Sequence, residues 1–147
     1  MKVLGIKCSK AEFGWMVLEG AARANGTVVA YDRPNVPPGE RGEQLAWVRK
    51  ELLEAIAKYH PDAAALAMSE GQSAIADRSQ MDGVVLATLH EKQVAVTRLR
   101  SASFRSRFSV QNKDELRAAV EALPACTQKT TAPQKERLTF AAAILLK

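Results

Sequence analysis

Two apolar runs joined by a short polar link constrain this chain more than any other feature. Lys2–Cys8 carries Val3, Leu4 and Ile6 around Gly5, and Phe13–Glu19 sets Phe13, Trp15 and Val17 among Gly14, Met16 and Leu18. Each run reads as a strand with both faces largely covered. The link over residues 9–12 is as short as a hairpin requires. A hairpin covered on both faces belongs inside a sheet with a packed layer above and below it.

The rest of the chain supplies those layers. Asn25-Gly26 is a turn signal ahead of a third, β-branched strand over 27–31, which completes an antiparallel meander. "DRPNVPPGERG" is a loop by composition. Leu45, Val48, Leu52, Ile56 and Tyr59 then recur at helical steps, and the helix stops at His60-Pro61 because proline excludes helical geometry before it. The run "AAALAM" over 63–68, placed after a helix, predicts a buried strand parallel to the first. A second helix over 73–89 turns Ile75, Met81, Val84, Val85 and Leu89 inward, and Gly83 within it suggests close packing on the sheet. A strand follows over 93–99. Asn112 or Asp114 can cap a helix over 115–123, "CTQKTTAPQK" reads as a flexible loop, and a terminal helix covers 136–146. The order βββ-α-β-α-β-α-α predicts an α/β fold in a single domain over 1–147. Its sheet is mixed and five-stranded, an antiparallel meander followed by parallel strands, with helices on both faces.

Composition narrows the class. Of 147 residues, 47% are apolar and 25% charged, a soluble globular profile. No apolar run approaches the ~20 residues of a membrane span, and the N-terminus has no signal-peptide pattern, so a cytoplasmic location is expected. Cys8 and Cys126 are far apart and fit free thiols; no Cys/His spacing suggests zinc. A net charge of +5 and a pI near 9.4 are compatible with nucleic acid.

Four stretches, in this order, resemble the RuvC-like Holliday-junction resolvase branch of the ribonuclease H-like superfamily. "VLGIKCSKAEFGWMVLEG" is similar to that family's opening hairpin, and "LLEAIAKYHPDAAALAM" to its helix stepping into the fourth strand. "SQMDGVVLATLHEKQVAV" is similar to its glycine-containing helix and following strand, and "KERLTFAAAILL" to its last helix. The resemblance spans nearly the whole chain. It implies a cluster of acids holding two divalent ions for phosphodiester cleavage, because hard cations need oxygen ligands.

In this chain the acids are largely replaced. The first-strand aspartate corresponds to Lys7, and the fourth-strand glutamate to Ala67 or Met68, with Glu70 a few residues beyond. The last-helix acid corresponds to Glu136, and the neighbouring acid expected one turn away is missing, with Pro133 and Thr139 nearby instead. Catalytic candidates are therefore Glu70 and Glu136, and no metal ligand set is assigned. Each has a plain structural reading too: Glu70 as a solvated loop residue, Glu136 as a favourable charge at a helix start, Lys7 as a strand-end cation.

The densest basic stretch sets Arg98, Arg100, Arg105 and Arg107 among Phe104 and Phe108. Guanidinium forks suit phosphate, and aromatic rings can stack on unpaired bases. On a strand, Arg105 and Arg107 would share one face and the phenylalanines the other, which also describes a solvated edge strand over core rings. Lys7, Lys10, Lys129 and Lys135 could join these arginines in a positive cleft. The expected function is a pseudonuclease that associates with DNA or RNA, or with a protein partner or a second copy of itself, without a cofactor or a membrane. The alternative is an Mg²⁺- or Mn²⁺-dependent endonuclease for branched DNA, with a rearranged site drawing on Glu70, Glu136 and Asp77 or Asp82. Actin-like sugar kinases share a glycine-rich hairpin but need an aspartate, further phosphate loops and usually a second domain.

Overall fold

The computed structural model describes residues 1–68 and 76–145. The strands β1 (Lys2–Cys8), β2 (Phe13–Glu19), β3 (Thr27–Asp32), β4 (Ala63–Ala67) and β5 (Ala95–Leu99) form one sheet in the order β3-β2-β1-β4-β5. The first three pair antiparallel, and β4 runs parallel to both β1 and β5. The mixed sheet follows the order read from the sequence.

Strand alternation sorts the core into two layers. Leu4, Ile6, Phe13, Trp15, Val17, Ala64 and Leu66 face α1 (Arg41–Tyr59) and α2 (Ala76–Glu91), against Val48, Leu52, Met81, Val85 and Leu89. Val3, Met16 and Leu18 face the opposite layer, built from α3 (Ser101–Arg107), α4 (Lys113–Glu121) and α5 (Ala132–Ala143). Gly5 lies between Val3 and Lys7 on this second face, under α5. A Cβ there would stand 2.7 Å from the Arg137 carbonyl oxygen and 2.8 Å from the Ala141 nitrogen. The missing side chain is what lets the helix backbone settle on the strand.

Local chemistry ends and starts the elements. His60 closes α1 in the left-handed region at φ 50°, one residue before Pro61. Asn112 caps α4, its side-chain oxygen accepting from the Glu115 amide at 2.9 Å. Thr131 and Gln134 make a reciprocal capping box at the head of α5. Buried Arg23 serves the other end of the layer. Its guanidinium donates to the carbonyls of Ala142 at 2.7 Å, Ala143 at 3.2 Å and Arg107 at 2.9 Å, and sits 4.3 Å over the Phe108 ring. It supplies donors to carbonyls at the ends of α5 and α3, the Ala142 carbonyl also accepting from the Leu145 amide at 3.2 Å.

Four expectations need correction. The basic stretch is the helix α3, not a strand, and Phe104 and Phe108 lie one turn apart on it. Part of the segment read as loop before residue 136 is the first turn of α5, so Glu136 lies inside that helix and not at its start. Gly83 is exposed, and no atom lies within 4 Å of where its Cβ would be, so it does not mark contact with the sheet. The last layer has three helices where two were expected. Both cysteines are free thiols, Cys8 buried and Cys126 half-buried. No helix among the described residues is long and apolar enough to cross a membrane.

Candidate functional site

β1 and β4 run parallel, so they finish at the same edge of the sheet. A crevice outside such carboxyl ends is the usual ligand position in α/β proteins. Here it is a cleft of about 380 Å³, reached by Lys7 from β1, Ala67 from β4 and Arg78 from the first turn of α2. Arg105 from α3, Lys113 from α4 and Glu136 from α5 complete its charged lining.

Lys7 projects onto the α5 face because its neighbours Ile6 and Cys8 point to the other layer. Its Nζ donates to Glu136 Oε1 and forms an ion pair. The second carboxylate oxygen accepts from Arg137 Nη1 at 3.1 Å. Arg137 is only 4% exposed and lies against Gly14, where a Cβ would come within 2.4 Å of its Nη2. One carboxylate therefore answers two cations. The Lys7–Glu136 pair is partly solvated, at 28% and 39% side-chain exposure, so it adds little to stability. Its consequence is chemical: both carboxylate oxygens are engaged by nitrogen donors.

The described residues alone do not supply a two-metal cluster. Lysine offers three donors and no lone pair, and Lys7 stands at the position the family resemblance gives to the first acid. Among the described residues, no three His, Cys, Asp or Glu side chains gather in a way that could hold a metal ion. Glu70 lies outside the described residues. Asp82 approaches Cys8 on the α1/α2 side of the sheet, away from Lys7; burial first, then the Asp82 charge and hydrogen bond, push the Cys8 thiol well above its ordinary 9.0. Asp77 sits in the first turn of α2, its carbonyl accepting from Arg41 Nη2 at 2.5 Å.

Of the basic residues named from the sequence, the cleft brings together Lys7 and Arg105. At about 100° per residue, Arg105 and Arg107 diverge on a helix where a strand would align them. Arg107, Arg100 and Lys10 are exposed outside the cleft lining, and Arg98 donates from Nε to the Met68 sulfur at 3.0 Å. Lys135 lines an adjoining groove and pairs with Glu121 at 3.0 Å, while Lys129 is exposed in the preceding turn. The sequence reading missed Arg78 and Lys113. Arg78 directs Nη2 to the Ala67 carbonyl at 3.1 Å, fixing the guanidinium at the end of β4. Their only sequence signal was a cation in the first turn of a helix.

The sheet order, with helices on both faces, defines a ribonuclease H-like fold. Within that class the chain has the RuvC-type arrangement. It superposes on Thermus thermophilus RuvC with a TM-score of 0.83 over 97% of this chain and 92% of that one, at 18% identity. The T. thermophilus RuvC in complex with Holliday junction substrate gives 0.80 over the same shares, at 17% identity. The yeast mitochondrial Holliday junction resolvase Ydc2 gives 0.60 over 96% of this chain and 77% of that one, at 10% identity. No protein-family model and no curated protein sequence matches the chain.

Proposed function

We propose that residues 1–147 form one domain that binds nucleic acid on a RuvC-type fold without two-metal cleavage, a pseudonuclease. The observation that carries this reading is the Lys7 ammonium held against Glu136 at the carboxyl end of β1. Two-metal hydrolysis requires anionic oxygen ligands that hold both ions beside the attacking and leaving oxygens. A fixed cation at that point repels the ions, and it occupies a carboxylate that could have bound one.

The same cleft suits phosphate directly. Among the described residues its lining holds four cations, Lys7, Arg78, Arg105 and Lys113, and one carboxylate, Glu136. Guanidinium and ammonium groups at a sheet edge attract a polyanion by counterion release, with log K falling by about 0.9 per phosphate neutralised for each decade of salt. The neighbouring structures solved with Holliday junction DNA make a branched duplex the appropriate first probe.

The test is one incubation read two ways. A labelled four-way DNA junction is mixed with the protein in Mg²⁺ and in Mn²⁺, then assayed for retarded complexes and for cut strands. We expect complexes that weaken with a salt slope of roughly −3, three or four phosphates' worth, and intact strands with either metal. Metal-dependent cutting that Glu136→Gln abolishes would overturn the reading in favour of an endonuclease with a rearranged acidic site. Absence of complexes at low salt would also overturn it, leaving a protein-interaction role.

A further inference from the structure

Phosphate contact alone does not account for the inside of the cleft. Below its charged rim the lining is apolar: Leu99 from β5, Phe104 from α3, Leu116 from α4 and Phe140 from α5, with Ala67 and Met68 at the end of β4. Phe104 and Phe140 are fixed against one another, with ring centroids 4.8 Å apart and planes tilted by 33°. The volume, about 380 Å³, falls within the range of small-molecule pockets. Leu99, Phe104 and Phe140 are each more than nine-tenths buried, so the cleft shows a ligand only their edges beside the half-buried Leu116, a small apolar floor that suits a flat group attached to an anion.

Charge places the two halves of such a ligand. Lys7 is neutralised by Glu136, whereas Arg78, Arg105 and Lys113 make no ion pair among the described residues. The anion therefore belongs on the Arg78–Arg105–Lys113 side. A second groove of about 180 Å³ shares Lys113, Leu116, Glu136 and Thr139 with the cleft and adds Arg117 and Lys135. Lys135 is taken by Glu121, so Arg117 carries the cationic track past the cleft toward a second phosphate.

We propose that the cleft takes an unpaired base of a polynucleotide strand, with its flanking phosphates on Arg105 and Lys113 and toward Arg117. The proposal rests on the nucleic-acid-binding reading above and names what that site selects. A flush duplex keeps its bases stacked inside and offers the cleft only sugar and phosphate. An unpaired base brings a flat apolar surface that the pocket can desolvate.

The experiment compares three fluorescein-labelled duplexes of one sequence by anisotropy at a fixed low salt: flush, with a single bulged adenosine, and with an abasic bulge at the same place. We expect the base-bearing bulge to bind roughly fivefold more tightly than the abasic one, the lower end of what base–aromatic contact supplies, since only ring edges are open. A plug variant, Thr139→Met, fills the cleft mouth without offering a ring face and should bring the two bulged duplexes within about twofold of each other, since it denies the base its place; its melting curve checks that it is folded. The wild-type comparison stands by itself if the variant does not fold. Equal affinities for base-bearing and abasic bulges would overturn the base pocket while flush-duplex binding kept the broader reading intact. Failure of all three duplexes to bind would sink both.

Discussion

Adding one methyl group at Gly5 should loosen the whole second layer. The residue sits in ordinary strand backbone, so alanine meets no conformational barrier there. The obstacle is space. The new Cβ would stand 2.7 Å from the Arg137 oxygen and 2.8 Å from the Ala141 nitrogen, where ordinary contact begins at 3.4 Å. Both atoms are backbone, so α5 must retreat by about 0.7 Å as a rigid body, which puts the change among overpacking substitutions that cost about 1–3 kcal/mol. Removing a strand glycine returns about 0.5–1 kcal/mol, which leaves a net loss centred on about 1 kcal/mol, with extremes of about 0 and 2.5 kcal/mol. For a domain of this size that lowers Tm by about 2–8 °C.

Gly83→Ala provides the opposite sign on the same chemistry. It lies in α2, exposed, with open space around its would-be Cβ, so helix propensity alone should raise stability by about 0.8–1 kcal/mol. Urea unfolding of the three proteins tests both, with midpoints ordered Gly83→Ala, wild type, Gly5→Ala at unchanged m. A Gly5→Ala protein as stable as wild type would refute the close approach of α5 to β1.

Other outcomes follow from the site and its supports. Glu136→Gln removes the one carboxylate described in the cleft lining, so duplex affinity at low salt should rise several-fold and the salt slope steepen by about one; weaker binding would contradict a phosphate-attracting cleft. The same change takes the anion from buried Arg137 and should cost about 1–2 kcal/mol in a urea melt. Arg23→Met takes a donor from the Ala143 and Arg107 carbonyls, while Ala142 keeps the Leu145 amide, and should cost about 2–3 kcal/mol, read as a lower midpoint at constant m. The folded Cys8 thiol is held above its ordinary 9.0, mainly by burial and then by Asp82, so the folded state keeps a proton that the unfolded state releases. Wild-type stability should therefore be complete below pH 9 and fall above it, and Cys8→Ala should flatten that fall in urea melts across alkaline pH.

The sheet was legible because strand alternation is a local signal. Residues 3 to 8 and 13 to 18 announce two covered faces, and proline and glycine punctuate the links. Helix α3 was not legible for the same reason. Arginine and phenylalanine interleave from 104 to 108 in a way that fits a strand's period of two at Arg105 and Arg107, and a helical turn from Phe104 to Phe108 equally well. Only packing against Phe140 decides between them. Lys7 and Glu136 could be singled out through the family resemblance, but their pairing spans 129 positions and no local pattern contains it. Arg78 and Lys113 carried still less signal. Each is an isolated cation whose meaning comes from where β4 and α3 deliver it.

The Lys7–Glu136 contact also changes what the resting protein must tolerate. Clustered carboxylates repel one another until divalent ions arrive, so such a centre is strained while empty and settles only when loaded. Here opposite charges meet in the same corner of the fold, and the corner is already at peace with itself. On the metal-free reading proposed above, its integrity does not depend on magnesium supply, and a chelator should leave the urea midpoint unchanged.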